Sequence, residues 1–196
     1  MIMERFEESP LFTKLLKDIQ NGNVDAFAKI IEEYKKLVAH IVFRMVTNPA
    51  DREDLGQDIF IKIYQKLSTF RGESKFSTWI SRIAYNTCLN HLNKKSTEMS
   101  KSYVSINRDW DISLSNDLTP LSNLERSELK CRLNQEILNL PVKYRMVITM
   151  FHLQDLSYQE ISEIMDTPEG TVKSYLHRAR QYLKEILEKE FQQQAV

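Results

Sequence analysis

The residues best suited to chemistry in this sequence are hydrogen-bond donors for phosphates and base edges, gathered within residues 153–187. Lys173, Ser174, His177 and Arg178 share one edge of a segment with helical spacing. Between Glu169 and Lys184 there are four basic side chains and one acidic side chain. A positive strip of this kind on a helix is typical of a surface that contacts DNA.

Two predicted helices must position these donors. Ser157 and Glu160 form an S-x-x-E capping box that starts the first helix, and Thr167 with Pro168 is predicted to start the second. A buried stripe at helical spacing supports the second helix: Val172, Leu176, Ala179, Leu183 and Leu187. The short turn between the helices predicts a helix-turn-helix, in which the second helix enters a DNA major groove. A plain helical hairpin with solvated charges stays open as an alternative.

The start of the second helix also resembles a known family. Residues 168–174 (PEGTVKS), followed by Arg178-Ala179-Arg180, are similar to region 4.2 of extracytoplasmic-function (ECF) sigma factors. These proteins are promoter-recognition subunits of bacterial RNA polymerase. Asp166 stands where a glycine is common, and His177 where an apolar or aromatic residue is usual. The resemblance implies contacts to the minus-35 promoter element from Gly170, Thr171, Lys173, Ser174, His177, Arg178 and Arg180.

A second candidate nucleic-acid site lies in residues 70–95. The run FRGESKF breaks the helical pattern, and Ser77 is predicted to cap a helix that ends near Lys95. Five basic residues, one acidic residue and interleaved aromatic rings suit single-stranded nucleic acid, although Trp79 reads better as a core residue. The segment resembles sigma regions 2.3 and 2.4. That resemblance implies minus-10 contacts from Phe70, Arg71, Lys75, Arg82, Asn86 and Asn90.

The helix predicted over residues 51–67 has a polar, acidic start. Asp54, Gln57 and Asp58 should face outward, opposite a buried stripe that includes Leu55 and Ile59. Carboxylates in a first turn are favoured by the helix dipole alone, so the acidic start does not by itself require a partner. The segment is similar to sigma region 2.2. This resemblance implies that the three side chains bind the clamp helices of the largest polymerase subunit.

The whole sequence predicts an all-α fold of two helical domains. Four glycines and five prolines leave long stretches uninterrupted. We place a first domain at residues 11–95, a flexible linker at 96–123 and a second domain at 124–190. The resemblance implies that these are a sigma region 2 helical bundle and a region 4 helix-turn-helix.

Other classes of site are not indicated. Cys88 and Cys131 have no partner at metal-binding or redox spacing, so we expect buried thiols. No nucleophile elbow, phosphate loop or metal signature is found, so no catalytic residue, cofactor or metal is predicted and the chain is not expected to be an enzyme. The start of the chain has no apolar signal core, and no apolar run reaches membrane-spanning length. We therefore expect a cytoplasmic protein without membrane insertion.

The charge balance indicates that DNA binding needs a larger partner. Twenty-seven basic residues balance twenty-seven acidic ones, whereas unaided grip on phosphates needs net positive surface. The resemblance implies three partners: RNA polymerase core, through its clamp helices and the flap of its second-largest subunit; promoter DNA; and an anti-sigma factor. Two alternatives stay open. One is a stand-alone helix-turn-helix regulator, and the other is an interaction module such as an inhibitor that mimics sigma.

Overall fold

The computed structural model describes residues 7, 9–99 and 133–194, and within them it is helical without a strand. The first part holds α1 (Pro10–Gln20), α2 (Val24–Met45), α3 (Pro49–Lys66), a 3-10 turn (Leu67–Thr69) and α4 (Phe76–Met99). The second part is helical at 133–139 and continues with α5 (Val142–Leu153), α6 (Tyr158–Met165) and α7 (Glu169–Gln194). The predicted all-α fold of two helical domains is confirmed.

Side chains placed by the local sequence start most of these helices. Asn23 Oδ1 accepts the Ala26 amide at 3.2 Å at the start of α2, and Asn48 Oδ1 accepts the Ala50 amide at 3.0 Å at the start of α3. The capping box of Ser157 and Glu160 is present at the start of α6. Each cap satisfies an amide that has no partner inside its own helix.

Two predicted caps are wrong. Helix α4 begins at Phe76, and the Ser77 amide donates to Glu7 Oε1 at 2.9 Å, an acceptor 70 residues away that a local pattern cannot reveal. Helix α7 begins at Glu169, after Pro168, and the Thr167 hydroxyl donates to the Met165 carbonyl at 3.0 Å instead of capping the helix.

Helix α4 also runs to Met99, past the end predicted near Lys95. Residues 96–99 contain neither glycine nor proline, so nothing in them stops a helix. They belong to the predicted linker, whose remaining residues, 100–123, lie outside the described residues. Cys131 and residues 124–132 of the predicted second domain lie outside them too.

The core of the first domain surrounds the start of α4. Helices α2, α3 and α4 pack on one another, and Ile30, Ile41, Ile59 and Ile80 are fully buried between them. Phe76, only 1% exposed, touches four aromatic rings at centroid distances of 4.9–5.4 Å. These rings are Phe12, Tyr34, Phe70 and Trp79. The cluster ties α1, α2 and the loop before α4 to one point.

The two domains pack against each other, which the sequence analysis did not anticipate. Helix α6 lies on α4, and α5 lies on α2. The buried Arg145 guanidinium donates to the Leu140 carbonyl at 2.9 Å and to the Arg44 carbonyl of the first domain at 2.8 Å. Arg44 in turn donates to Asn134 Oδ1 at 3.0 Å. Burial, followed by the nearby charge of Arg44, lowers the pKa of Arg145 to about 10.

Candidate nucleic-acid interface

The exposed edge of α7 holds the predicted minus-35 residues. Lys173, Ser174, His177 and Arg178 are all exposed, whereas Val172, Leu176, Ala179 and Leu183 are buried against α5 and α6. Hydrophobic packing therefore fixes the rotation of α7 and presents the four polar side chains together.

Several of these polar groups have partners inside the chain. The Ser174 hydroxyl donates to the Gly170 carbonyl at 2.9 Å. Lys173 Nζ lies 3.9 Å from a Glu169 oxygen and 5.3 Å from the centre of the Tyr158 ring. The Tyr144 hydroxyl accepts a hydrogen bond from Arg178 and raises the pKa of that fully exposed guanidinium. These contacts bridge α5, α6 and α7 at the surface and preorient the donors without burying them.

The first turn of α7 leaves its backbone accessible. Gly170 is exposed, and a Cβ added there would meet no atom within 4 Å. Packing inside the chain therefore does not require glycine at this position. The neighbouring Thr171 is half-buried, and its amide donates to the Pro168 carbonyl at 2.8 Å.

Arg180 is exposed but is held against α5. Its Nε lies 3.2 Å from His152 Nε2, and its guanidinium lies 5.4 Å from the centre of the Phe151 ring. Its contacts are thus with α5, while Lys173 contacts Glu169 and Tyr158.

The predicted minus-10 loop, residues 70–75, connects the 3-10 turn to the start of α4. Phe70 is half-buried, with ring centroids 4.9 Å from Phe76 and 5.5 Å from Trp79. Gly72 has φ +74°, a left-handed conformation that favours glycine. Arg71 is exposed, with a guanidinium nitrogen 4.0 Å from Glu73. The loop therefore presents polar groups next to a cluster of packed aromatic side chains.

Helix α4 carries the remaining minus-10 residues along one edge. Arg82, Asn86 and Asn90 are exposed at intervals of four residues, with Asn93 following on the same side. Ile80, Ala84, Tyr85 and Cys88 face the core. Trp79, which the sequence analysis interpreted as core, is half-buried and stacks on Phe76 at 5.4 Å.

The two predicted sites meet where α6 lies on α4. Lys75 Nζ is 3.0 Å from a Glu160 oxygen, and Arg82 Nη2 is 3.8 Å from Asp166 Oδ1. Asp166 forms the turn before α7 with φ 49° and ψ 51°, which explains why glycine is common at this position of the family pattern. Two basic side chains predicted to contact the minus-10 element are therefore paired with carboxylates of the helix-turn-helix.

The predicted polymerase-binding residues lie on the outer side of α3. Asp54, Gln57 and Asp58 are exposed, whereas Leu55, Ile59 and Ile63 of the same helix are buried. Because the polar side chains share one face of α3 and the apolar ones the other, a continuous polar strip covers the first half of the helix.

A groove between α2 and α3 adjoins this strip, and the sequence analysis predicted no site on α2. It has a volume of about 1110 Å³ and is lined mostly by apolar side chains, with Gln57 at its wall. Val24, Phe43 and Ile61 line it and are 65%, 46% and 54% exposed. A contiguous exposed apolar surface of this kind is typical of a face that docks another protein. The sequence signal that could have revealed the groove is the presence of apolar residues, such as Phe43, outside the buried face of the helix.

Possible thiol and metal sites can be described for the part of the chain that the structure covers. Cys88 is fully buried, and burial raises the pKa of its thiol to about 12. No group of three or more His, Cys, Asp or Glu side chains in that part could hold a metal ion. Among the same residues, no helix combines the length and apolar character needed to cross a membrane.

Two protein-family models match the chain. The model of Sigma-70 region 2 matches residues 30–98, and that of Sigma-70, region 4 matches residues 132–183. The ECF RNA polymerase sigma factor SigW of Bacillus subtilis is 34% identical, over 90% of this chain and 97% of its own length. The ECF RNA polymerase sigma-E factor of Escherichia coli K12 is 38% identical, over 85% of this chain and 89% of its own length.

Solved structures with the same fold are also found. The sigma factor RpoE of Bartonella quintana, crystallised with the anti-sigma factor NepR, has a TM-score of 0.66 at 23% identity. This match covers 84% of this chain and 98% of RpoE. CnrH, solved with the cytosolic domain of CnrY, has a TM-score of 0.60 at 19% identity, covering 89% of this chain and 96% of CnrH. At these identities the likeness is one of fold.

The contacts of Glu160 predict an acid-sensitive cap on α6. Burial acts to raise the pKa of this carboxyl, but hydrogen bonds from Ser157 and Lys75 outweigh it and leave the pKa below its ordinary value. The charged form therefore stabilises the folded state at neutral pH, and this contribution is lost as the pH falls through the folded-state pKa. Glu160→Gln should lower the free energy of unfolding by about 1 kcal/mol at pH 7 and by much less at pH 3.

Thermal unfolding at both pH values measures this difference. Glu163→Gln, on the same helix but 3.4 Å from Gln159 rather than at the cap, is the matched control and should change little. A loss for Glu160→Gln that is equal at pH 7 and pH 3 would contradict the assignment.

Proposed function

Because the chain belongs to the ECF sigma factors, we propose that it directs RNA polymerase core to promoters through two separate DNA-contacting edges. The α7 edge contacts the minus-35 element in duplex form. The loop before α4 and the α4 edge contact the minus-10 element as it opens. The role consists of binding and strand capture in the cytoplasm, with no chemical step by the chain itself.

The observation that carries this proposal is the row of exposed side chains on α4, which lies beside the aromatic rings of Phe70 and Trp79. Taking a base out of the stack costs a few kcal/mol. Stacking on one aromatic ring returns about 1–3 kcal/mol, and the Asn86 amide can donate and accept hydrogen bonds at the exposed base edge. The half-buried Phe70 can offer only its exposed part, so we assign the loop backbone and Asn86 most of the capture.

The closed packing of the two domains must change for both edges to work. Lys75 and Arg82 are paired with Glu160 and Asp166, and α6 covers part of α4. The Arg82–Asp166 pair is exposed on both sides, and the Lys75–Glu160 pair on its lysine side. Ion pairs at a protein surface are worth about 0–1 kcal/mol each, so DNA and polymerase contacts can replace them. We propose that α6 leaves α4 when the protein joins the polymerase.

The minus-35 contacts divide by chemistry. Lys173, Ser174, His177 and Arg178 project from the α7 edge and are assigned to base edges, where an arginine can bond a guanine through two donors. Gly170 and Thr171 lie in the first turn of α7 and are assigned to phosphate, Gly170 through its backbone amide and Thr171 through its side-chain hydroxyl. Arg180 is also assigned to phosphate, although it must first exchange its contact with His152.

The polymerase contact combines the apolar groove with its polar strip. A hydrophobic centre with a polar rim is the usual anatomy of a protein interface. We assign the groove to the centre and Asp54, Gln57 and Asp58 to the rim, facing the clamp helices, with the second domain facing the flap. By analogy with RpoE, which was crystallised with the anti-sigma factor NepR, we also propose that an anti-sigma factor holds the chain inactive.

Run-off transcription of genomic DNA from the source organism tests the proposal. Purified core with the protein should yield transcripts that core alone does not, and their start sites should share minus-10 and minus-35 sequences. Sequence-specific DNA binding without polymerase and without such transcripts would favour the stand-alone regulator. Binding to a sigma-controlling protein without transcripts would favour the inhibitor.

The groove predicts the energetics of polymerase binding. Ile61→Glu places a charge in the apolar centre and should weaken core binding ten-fold or more, about 1.4 kcal/mol, measured by fluorescence anisotropy. Leu11→Glu is the control, because Leu11 is 74% exposed on α1 and does not line the groove. The triple Asp54→Ala, Gln57→Ala, Asp58→Ala variant should weaken binding less than Ile61→Glu does. Equal effects of Ile61→Glu and Leu11→Glu would remove the groove from the interface.

The α7 edge predicts a split between base and phosphate contacts. Arg178→Ala should reduce discrimination against altered minus-35 sequences by about 1–3 kcal/mol. Thr171→Ala should instead weaken binding to all sequences alike. Competition among promoters with single minus-35 changes measures both effects, and unchanged minus-35 preference in Arg178→Ala would contradict this placement of α7.

The α4 edge predicts a defect confined to strand opening. Asn86→Ala should leave closed-complex recruitment intact but reduce permanganate reactivity of minus-10 thymines, and a premelted bubble template should restore transcription. Asn93→Ala, farther along the same exposed side, is the control and should have a smaller effect. Equal defects of Asn86→Ala on duplex and bubble templates would point to folding or core binding instead.

A further inference from the structure

Glu7 caps the helix that carries the minus-10 edge from a distant part of the chain. Its Oε2 accepts the Phe76 amide at 2.9 Å, and its Oε1 accepts the Ser77 amide at 2.9 Å and the Tyr34 hydroxyl at 2.8 Å. The two amides are separated from Glu7 by 69 and 70 residues. One carboxylate therefore joins the start of the chain, α2 and the first turn of α4.

The geometry points to Glu7 as a positioning residue for promoter opening: it fixes the end of the minus-10 loop and the first turn of α4. This inference rests on the proposed function, since it concerns how the same site is held. A carboxylate at a helix N-terminus satisfies amides that have no partner within the helix and complements the helix dipole. Charge-assisted hydrogen bonds of this kind are also stronger than neutral ones.

The residues around Glu7 hold this cap in one orientation. Tyr34 is fully buried, and burial together with the Glu7 charge raises the pKa of its hydroxyl, which therefore stays a donor. Phe76 is held through its ring by the aromatic cluster and through its amide by Glu7. The loop of residues 70–75 thus ends at Phe76, which is held both through its ring and through its amide. Residues 71–73 and 75 of the loop remain exposed.

A purely stabilising role is separable from a positioning role. Asn23 caps α2 in the same domain, through its contact with the Ala26 amide, and lies on a different helix from the minus-10 edge. Asn23→Ala is therefore a matched loss of one cap. Glu7→Ala removes the cap of α4, and Glu7→Gln keeps the size and one acceptor oxygen.

The experiment uses the full chain with polymerase core on a promoter that the wild-type protein opens. Glu7→Ala should lower the rate of opening of duplex promoter about five-fold or more while staying within two-fold of wild type on a premelted bubble. Hydrogen exchange at the Phe76 and Ser77 amides should become about ten-fold faster. Asn23→Ala should lower the melting temperature without a difference between duplex and bubble.

The outcomes separate this inference from the proposed function. If the wild-type protein opens no promoter, the proposed function fails. If it does, the inference is overturned when Glu7→Ala opens duplex at the wild-type rate, or when it and Asn23→Ala lower duplex and bubble activity alike. Should Glu7→Ala fail to fold, Glu7→Gln decides, with a smaller loss on duplex alone expected and a wild-type rate overturning the inference.

Discussion

The rest of the structure depends on where the first turn of α4 is fixed. Phe76 has its ring among four aromatic side chains and its amide on Glu7, so α1, α2, the loop and α4 share one anchor. The groups that we propose for contact with an opened strand lie on either side of this anchor: the loop on one side and the edge with Arg82, Asn86 and Asn90 on the other. Rigid support for exposed polar groups is what capture of an extruded base requires, because mobile donors would lose entropy on binding.

The second domain packs against α4, the helix that starts at this anchor. Helix α6 places Glu160 and Asp166 on Lys75 and Arg82, and Arg145 crosses the junction to the Arg44 carbonyl. Two buried guanidinium groups near each other are costly, as the lowered pKa of Arg145 reflects. The closed arrangement thus combines weak surface ion pairs with desolvated charges. In our account it is a resting state that polymerase and DNA can open.

Local pattern was sufficient for the fold and for the exposure of most candidate site residues. The spacing of Val172, Leu176 and Ala179 predicted which edge of α7 is exposed, and Ser157 with Glu160 predicted the start of α6. What the sequence could not show arises from contacts between distant segments. Glu7 rather than Ser77 caps α4, and α6 lies on α4. Phe43 and Ile61 line a groove between α2 and α3, where no site was predicted. Hydrophobic periodicity predicts which face of a single helix is buried. It does not predict which helices pack against each other, and these features depend on that packing.

The central claim is that the α4 edge touches an opened promoter strand. A photo-crosslinking amino acid in place of Asn90, which leaves Asn86 intact and lies on the same exposed edge of α4, tests it most directly, in the full chain with polymerase core and a promoter found by run-off transcription. The account predicts crosslinks to one strand of the minus-10 element, appearing only under conditions in which the promoter melts. Crosslinks confined to double-stranded flanking DNA or to polymerase subunits, with melting intact, would contradict it.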